Sequence, residues 1–328
     1  MDTTSSSPAT KPYVLGIDIG GTNTVFGIVD ARGNVLATNS IKTQSYPIFE
    51  DYIKALHEKA SDLIKAYGAE GKIFGIGIGA PNGNYNTGEI VFAPNLPWSG
   101  NVPLASALSE AFGGIPVAVT NDANAAAIGE MTYGAARGMK DFIMITLGTG
   151  VGGGVVIDGK MVYGTDGMAG ELGHITSRHN GRQCGCTRRG CLETYCSATG
   201  VATTAREFLQ ARANEASLLR NIPIEDITSK DVYDAAVAGD KLAKDVFDFT
   251  GKILGEALAD FASFTSPEAF IIFGGLAKSG EFLMRPLRES FEANNLPIHK
   301  NKIKILLSEL KESDAAVLGA SALGWEAK

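Results

Sequence analysis

Two glycine-rich turns, each joining one apolar strand to the next, constrain the fold of this chain more than any other feature. The first is Gly20-Gly21-Thr22-Asn23, and the second covers residues 148–154. Because the same strand–turn–strand pattern recurs after about 130 residues, the sequence predicts an internally duplicated α/β protein. The four flanking strands are predicted at 13–19, 25–29, 142–147 and 155–157.

The glycine turns are candidates for holding phosphate groups. Gly148, Gly150 and Gly153 match the G-x-G-x-x-G spacing of dinucleotide-binding proteins, but that motif requires a following helix, and here a β-hairpin follows. The sequence contains no G-x-x-x-x-G-K-[ST] motif either. Backbone N–H groups in such turns can still face an anion, with Thr22 and Thr149 as additional donors. The alternative is two tight hairpins, but two matching turns favour a nucleotide between them.

Two aspartates, Asp18 and Asp122, lie at positions that indicate a functional role for their carboxylates. Asp18 lies inside an apolar strand, where a charge is costly unless it has a partner, and Mg²⁺ on a nucleotide would be a good one. The alternative is a hydrogen-bonded structural aspartate. Asn121 and Asp122 follow a predicted strand, at the end where α/β sheets place their chemistry. Their alternative role is to cap the next helix.

The length of 328 residues exceeds the usual size of one compact unit and predicts two lobes with a cleft between them. The first lobe is predicted at 1–120, completed by a C-terminal helix at 313–328, and the second at 121–312. Further strands are predicted at 35–38, 73–78, 117–120 and 269–273, and helices at 48–67, 104–112, 123–131, 198–213, 230–238, 241–264 and 314–325.

Composition excludes several classes of protein. The net charge of -7, without a cluster of Lys and Arg, argues against a nucleic-acid-binding surface. Residues 1–10 are small and polar and do not resemble a secretory signal. No apolar run approaches the ~20 residues that span a bilayer. We therefore expect a cytoplasmic protein with no membrane partner.

All four cysteines lie between positions 184 and 196, which indicates a metal site in a reducing compartment. The spacing H-x9-C-x-C-x4-C, from His174 through Cys184 and Cys186 to Cys191, suits tetrahedral structural zinc. Two alternatives stay open. Cys196 could replace His174 as the fourth ligand, or the four thiols could form two disulfides.

With these motifs in place, the chain resembles the ROK family of sugar kinases and repressors over nearly its whole length. One position departs from the pattern, because the family usually has Gly after the second cysteine where this chain has Thr187. The matching motifs are DIGGTN at 18–23, NDANAAAIGE at 121–130, TLGTGVGGG at 146–154, GELGH at 170–174, the cysteine motif at 184–191 and GG at 274–275.

The resemblance implies an actin-like ATPase (ribonuclease H-like) duplicated fold, a homodimer and three sets of ligand contacts. Structural Zn²⁺ would be held by His174, Cys184, Cys186 and Cys191, with the second ring nitrogen of His174 facing a sugar hydroxyl. A hexose would contact Asn95, Asn121, Asp122, Glu171, His174 and Glu193. ATP with Mg²⁺ would contact Asp18, Gly20, Gly21, Thr22, Asn23, Gly148, Thr149, Gly150, Gly274 and Gly275.

The activity that this resemblance implies is phosphoryl transfer from ATP to the 6-hydroxyl of glucose, with Asp122 as general base. A kinase of N-acetylglucosamine, N-acetylmannosamine or another hexose is the main alternative. A sugar-responsive transcriptional repressor is disfavoured, because the first strand begins near Tyr13 and leaves no room for a DNA-binding module in front. A non-enzymatic sugar-binding module would need neither Asp18 nor two phosphate loops.

Overall fold

The computed structural model describes residues 11–310 and 312–327, so the polar tail expected at 1–10 lies outside the described residues. The strands are β1 Tyr13–Ile19, β2 Asn23–Asp30, β3 Val35–Lys42, β4 Ile73–Gly79, β5 Ile90–Val91, β6 Asn101–Val102, β7 Val117–Thr120, β8 Phe142–Leu147, β9 Val151–Ile157, β10 Lys160–Met161, β11 Ala269–Phe273 and β12 Lys304–Leu307. The helices are α1 Phe49–Tyr67, α2 Leu104–Ala111, α3 Asp122–Tyr133, α4 Glu193–Cys196, α5 Ala198–Ala211, α6 Ser229–Val237, α7 Lys241–Thr265, α8 Glu281–Asn294 and α9 Glu312–Gly324.

The chain forms two compact units. The first extends to Gly138 and includes Met161–Ala169 and the chain from Glu309 onwards, and the second comprises Met139–Lys160 and Gly170–Ser308. No helix in the described ranges is both long and apolar enough to cross a bilayer. Each unit has its own sheet and its own hydrophobic core.

The sheet of the first unit has the strand order β3-β2-β1-β4-β7. β1 and β2 form an antiparallel hairpin around the first glycine turn, whereas β4 and β7 run parallel to β1. Apolar side chains of β1 and β2 are buried against α1, where Phe26, Tyr52 and Leu56 are fully enclosed. The parallel strands therefore all end at one edge of this sheet, beyond Ile19, Gly79 and Thr120.

The sheet of the second unit repeats this arrangement, with the order β10-β9-β8-β11-β12. Its β8–β9 hairpin is antiparallel around the second glycine turn, and β11 and β12 run parallel to β8. The long helix α7 covers the sheet and packs against α8. The internal duplication predicted from the two glycine turns is confirmed.

The structure differs locally from the sequence predictions. β9 begins at Val151 rather than at residue 155, because Gly152, Gly153 and Gly154 pair with β8 in the ladder. The second glycine turn is therefore only Gly148–Gly150. The sequence patterns also missed α8 and β12. A proline inside a helix argues against that helix, but Pro286 of α8 packs on Gly251 of α7, where any side chain would collide with it.

The border between the units also differs from the predicted one at residue 120. α3 belongs to the first unit because it packs along α9, with Gly129 against Gly319 at a distance that leaves no room for a Cβ atom. Residues 161–169 belong to it as well. The Asn84 amide donates to the Asp166 carbonyl at 2.7 Å, and the Tyr85 and Tyr163 rings stack with centroids 4.0 Å apart.

α9 lies directly on the backbone of the first sheet. A Cβ atom at Gly16 of β1 would lie 2.3 Å from the Val317 carbonyl oxygen, and one at Gly77 of β4 would lie 1.9 Å from that of Ala320. Real Cβ atoms cannot come so close to backbone, so these strand positions accept only glycine without displacement of α9. Because α3 packs against α9, these glycines also set the position of the residues at the start of α3.

We predict that Gly77→Ala lowers the free energy of unfolding by about 3 kcal/mol, since the new methyl group must displace α9. Gly71→Ala is the matched control in the same unit. Nothing lies within 4 Å of that position, and only its left-handed φ of +69° is unfavourable for alanine, which should cost about 1 kcal/mol. Urea unfolding of both variants measures the difference, and equal losses would contradict the close approach of α9.

Candidate active site

The edge of the first sheet brings Asp18 and Asp122 together. Asp18 is paired in register with Gly79 of β4, and Gly79 with Thr120 of β7, so the three parallel strands are aligned at this edge. A Cβ atom built on Gly79 would lie 3.7 Å from an Asp18 carboxylate oxygen and 3.9 Å from the Asp122 Cα. A Cβ atom at position 79 would therefore be in ordinary van der Waals contact with both aspartates, which shows that both lie beside Gly79.

Both carboxyl groups have raised pKa values. Burial raises the pKa of Asp18 to about 6, and the nearby negative charge of Asp122 adds to the increase. The Asp122 side chain is exposed to solvent, but the surrounding protein desolvates it enough to raise its pKa as well. The Ala123 N–H donates to its carboxylate at 2.8 Å and partly opposes this increase. Two neighbouring carboxylates without a cation repel each other, so this edge is suited to bind Mg²⁺ or to hold a proton.

Asn121 caps α3, which is the alternative role that the sequence analysis gave to Asn121 and Asp122. Its side-chain oxygen accepts a hydrogen bond from the Asn124 N–H at 2.7 Å. The cap fixes Asp122 as the first residue of the helix. The amide nitrogen of Asn121 is not used by the cap, so capping and ligand binding are compatible roles for this residue.

The first glycine loop, residues 20–23, is held from one side by Thr43 and Gln44. The Thr43 hydroxyl donates to the Gly20 carbonyl at 2.8 Å, the Gln44 amide to that of Gly21 at 2.6 Å, and the Thr43 N–H to that of Thr22 at 2.9 Å. A carbonyl and the following N–H point in opposite directions across a trans peptide. The Gly21 N–H therefore faces away from Thr43 and the Thr22 N–H faces away from Gln44, as an anion site requires.

Sequence reasoning missed Thr43 and Gln44. They follow β3 in a short 3-10 helix, Thr43–Ser45, with no motif around them. The only available signal was the polar pair Thr43-Gln44 directly after the strand, and that signal is weak. Thr43 is fully buried, where its hydroxyl meets that of Thr24 at 3.0 Å, and Thr24 in turn meets the Tyr52 hydroxyl at 2.9 Å.

Asn95 lies beside the first glycine loop. A Cβ atom on Gly21 would lie 3.0 Å from the Asn95 carbonyl oxygen. The loop that carries Asn95 is anchored by Trp98, whose ring is buried against Tyr52 and whose indole N–H donates to the Tyr46 carbonyl at 3.0 Å. The structure thus brings the predicted sugar contact Asn95 and the predicted phosphate loop into one neighbourhood.

In the second unit, the parallel strands β8 and β11 end side by side, with Thr146 opposite Phe273. The second glycine loop, Gly148–Gly150, follows β8, and Gly274 follows β11. Gly274 has a φ of +103°, and a Cβ atom there would lie 2.5 Å from the Leu147 carbonyl oxygen. Two of the predicted nucleotide-binding segments, 148–150 and 274–275, are therefore neighbours in the structure.

The predicted sugar-binding side chains of the second unit also converge. A Cβ atom on Gly150 would lie 2.8 Å from a carboxylate oxygen of Glu193. His174 lies between two acids, with Nδ1 3.7 Å from Glu193 and Nε2 4.0 Å from Glu171. This arrangement joins the second glycine loop to Glu193, His174 and Glu171.

His174, Cys184, Cys186 and Cys191 form the cluster that the spacing predicted, with one ligand atom of each within 4.8 Å of all the others. The Cys186 and Cys191 sulfurs are 3.6 Å apart, and His174 Nδ1 is 3.7 Å from the Cys184 sulfur. A tetrahedron with metal–sulfur bonds of about 2.3 Å has edges of about 3.8 Å. The donor set and its spacing fit Zn²⁺, and Nδ1 is the histidine nitrogen that faces the cluster.

The two alternatives for the cysteines do not fit this geometry. All four thiols are free, and a separation of 3.6 Å is far longer than a disulfide bond. Cys196 lies apart from the cluster, fully buried, with its sulfur 3.6 Å from the Thr250 carbonyl. His174, not Cys196, is the fourth potential ligand.

Thr187 lies in the turn of the cluster with a φ of +75°. Its N–H donates to the Cys184 carbonyl at 3.1 Å and closes the turn. A β-branched residue rarely adopts this left-handed backbone, which explains why the family pattern has glycine there. The turn is made despite the substitution, and no candidate ligand is lost.

Comparison with known proteins assigns this chain to a family. A model described as the ROK family matches residues 14–327. The chain belongs to the ROK family.

Among the similar curated proteins, the glucokinase of Halalkalibacterium halodurans is 37% identical over 96% of this chain and 95% of its own length. A ROK family glucokinase from Streptomyces griseus, solved with glucose and AMPPNP, is 36% identical, with a TM-score of 0.77 over 96% of this chain and 99% of that one. The xylose repressor of Bacillus spizizenii is 29% identical over 95% of this chain and 76% of its own length. The actin-like two-unit fold implied by the family resemblance is confirmed.

We predict that the protein binds one Zn²⁺ per chain and that Cys184→Ser weakens this binding at least about 100-fold, because the metal loses a thiolate ligand. Cys196→Ser should bind zinc as the wild type does. Competition with a chromophoric chelator, together with elemental analysis, measures both. Equal loss of zinc in the two variants would show that the cluster contains Cys196.

We also predict that, without nucleotide or Mg²⁺, the effect of Asp18→Asn on the free energy of unfolding depends on pH. Because the folded pKa of Asp18 is about 6, above its ordinary 3.8, the wild type loses stability as the pH rises from about 4 to 6. The variant lacks this loss and should be more stable by about 1–2 kcal/mol at pH 7, with no advantage at pH 4. Urea unfolding between pH 4 and 7 measures the free energy of unfolding of the wild type and of Asp18→Asn, with the exposed Asp62→Asn as control. If the difference between Asp18→Asn and the wild type did not change with pH, the raised pKa of Asp18 would be contradicted.

Proposed function

We propose that this chain is an ATP-dependent glucokinase that transfers the γ-phosphoryl group of ATP to the 6-hydroxyl of glucose. The observation that carries the proposal is the placement of Asp122 at the strand ends beside Asp18 and Asn121. Similarity to the Streptomyces griseus glucokinase, which was solved with glucose and AMPPNP, supports the same reaction.

Asp122 is the proposed general base. As the 6-hydroxyl oxygen bonds to the γ-phosphorus, the bond from that phosphorus to the bridging oxygen breaks and ADP leaves. The hydroxyl proton passes to the Asp122 carboxylate. Desolvation raises the pKa of this carboxyl group, which makes the carboxylate a better proton acceptor at the moment of transfer. The cap at Asn121 and the bond from the Ala123 N–H hold it in one orientation.

Nucleotide and Mg²⁺ are proposed to bind the two glycine loops and their neighbours. Asp18 would face the metal ion, whose charge relieves the repulsion between the two aspartates. The N–H groups of the first glycine loop would hold phosphate oxygens. Besides Asp18, the proposed contacts are Gly20, Gly21, Thr22 and Asn23 of the first loop, Gly148, Thr149 and Gly150 of the second loop, and Gly274 and Gly275.

The hexose is proposed to contact carboxylates, amides and one imidazole, which can accept from or donate to sugar hydroxyls. These residues are Asn95, Asn121, Asp122, Glu171, His174 and Glu193. Zinc at the cluster would take no part in bond making and would hold the segment that carries His174. His174 would then offer Nε2, the nitrogen on the side of Glu171, to a sugar hydroxyl. Cys184→Ser is therefore expected to raise the KM for glucose as well as to weaken zinc binding.

A homodimer and a cytoplasmic location stay predictions from the sequence. A kinase of N-acetylglucosamine, N-acetylmannosamine or another hexose is the second candidate. A solved structure 26% identical to this chain is described as a putative N-acetylmannosamine kinase from Listeria monocytogenes. A coupled ADP assay over a panel of hexoses and N-acetylhexosamines decides between them. Repressor relatives make a band-shift with genomic DNA a necessary companion experiment, and we expect no shift.

We predict that Asp122→Asn lowers kcat with glucose and ATP at least about 100-fold, the usual scale for loss of a general base. Asparagine has nearly the same shape and can still accept from the Ala123 N–H, so zinc content and folding should be unchanged. Asp62→Asn, on the exposed face of α1, serves as the control for the same chemical change. Near-normal turnover of Asp122→Asn would eliminate this residue as the base.

A further inference from the structure

The side chain of Gln44 makes two hydrogen bonds to backbone carbonyls from two different loops. Its Nε2 donates to the Gly21 carbonyl at 2.6 Å and to the Asn95 carbonyl at 3.3 Å. A primary amide nitrogen carries two hydrogens, so one group can satisfy both acceptors at once. The first glycine loop and the loop of Asn95 are thereby joined through one side chain.

Each of these loops is part of a different proposed binding site. Gly21 belongs to the proposed nucleotide loop and Asn95 to the proposed sugar contacts, and the two backbones approach closely, since a Cβ atom on Gly21 would be 3.0 Å from the Asn95 carbonyl oxygen. Thr43 holds the glycine loop from the buried side. Gln44 is exposed, and unlike Thr43 it reaches both loops.

We propose that Gln44 is a positioning residue that couples the two substrates: it fixes the nucleotide loop and the sugar loop relative to each other, so that binding of either ligand prepares the site of the other. The proposal rests on the proposed kinase function.

The physical reason lies in the peptide plane between Gly21 and Thr22. The bond from Gln44 holds the Gly21 carbonyl on one side, which directs the Thr22 N–H to the other. Glycine allows this plane to rotate at little cost once the bond is lost. A ligand that orders one loop also orders the other through Gln44, so the second ligand has less ordering cost left to overcome.

The test measures the coupling itself. Titration calorimetry gives the Kd of glucose with and without saturating Mg²⁺ and AMPPNP, and the Kd of AMPPNP with and without saturating glucose. We expect each ligand to tighten the other at least about 5-fold in the wild type, by the same factor in both directions. In Gln44→Met, which keeps the length of the side chain but has no donor, the factor should fall below about 2.

Two further variants separate coupling from general damage. Gln44→Glu places a carboxylate against two carbonyl oxygens and should abolish coupling as well. Ser45→Ala, the adjacent exposed residue, should keep the wild-type factor. Because Gln44 is exposed, the melting temperature of both Gln44 variants should shift by less than about 4 °C, which a residue needed only for folding would exceed.

Three results would overturn the proposal. A wild-type coupling factor near 1 would mean that the two loops are not linked energetically. Wild-type coupling in Gln44→Met would mean that another contact carries the link. If the wild type phosphorylates glucose in either case, only the role of Gln44 fails. If the wild type binds neither glucose nor AMPPNP and has no turnover, the proposed function fails and the role of Gln44 fails with it.

Discussion

The close approach of α9 to the first sheet is the contact on which the candidate catalytic edge depends. Backbone atoms of this helix occupy the space where side chains at Gly16 and Gly77 would otherwise lie. α9 also packs closely against α3, where a Cβ atom on Gly129 would lie 2.8 Å from the Gly319 Cα. The position of Asp122, the first residue of α3, therefore follows from a chain of backbone contacts in which no side chain intervenes. Such contacts are stiff, because backbone cannot change rotamer to relieve a clash.

A second constraint concerns the direction of peptide groups. The first glycine loop presents N–H groups because its carbonyls are bound from behind by Thr43 and Gln44. Glycine makes this conformation possible, but the hydrogen bonds from a distant strand end select it from the many that glycine allows. The buried hydroxyls of Thr24, Thr43 and Tyr52 connect this support to the core under α1.

The Cys/His cluster of this ROK protein forms even though one residue of its turn has an unfavourable backbone conformation. Thr187 adopts a left-handed backbone inside the turn, and the thiols still lie at separations that suit a tetrahedral ion. Metal binding can offset such strain because ligand bonds contribute far more free energy than one unfavourable dihedral angle costs. The same cluster orients His174 between Glu171 and Glu193.

The sequence alone determined the duplicated strand–turn–strand pattern, the presence of a Cys/His metal motif and the location of Asp122 after a strand, because each is encoded in local spacing and hydrophobic periodicity. The structure decided that His174, and not Cys196, is the fourth member of the cluster. Tertiary structure decided the rest. The extent of the second glycine turn depended on pairing between β8 and β9, and the membership of α3 in the first unit on packing with α9. Helix α8 contains Pro286, which packs on Gly251 of α7, a contact between residues 35 positions apart that no local pattern shows. Gln44 and Asn95 are 51 positions apart, and no local pattern can encode a hydrogen bond between residues so distant in sequence.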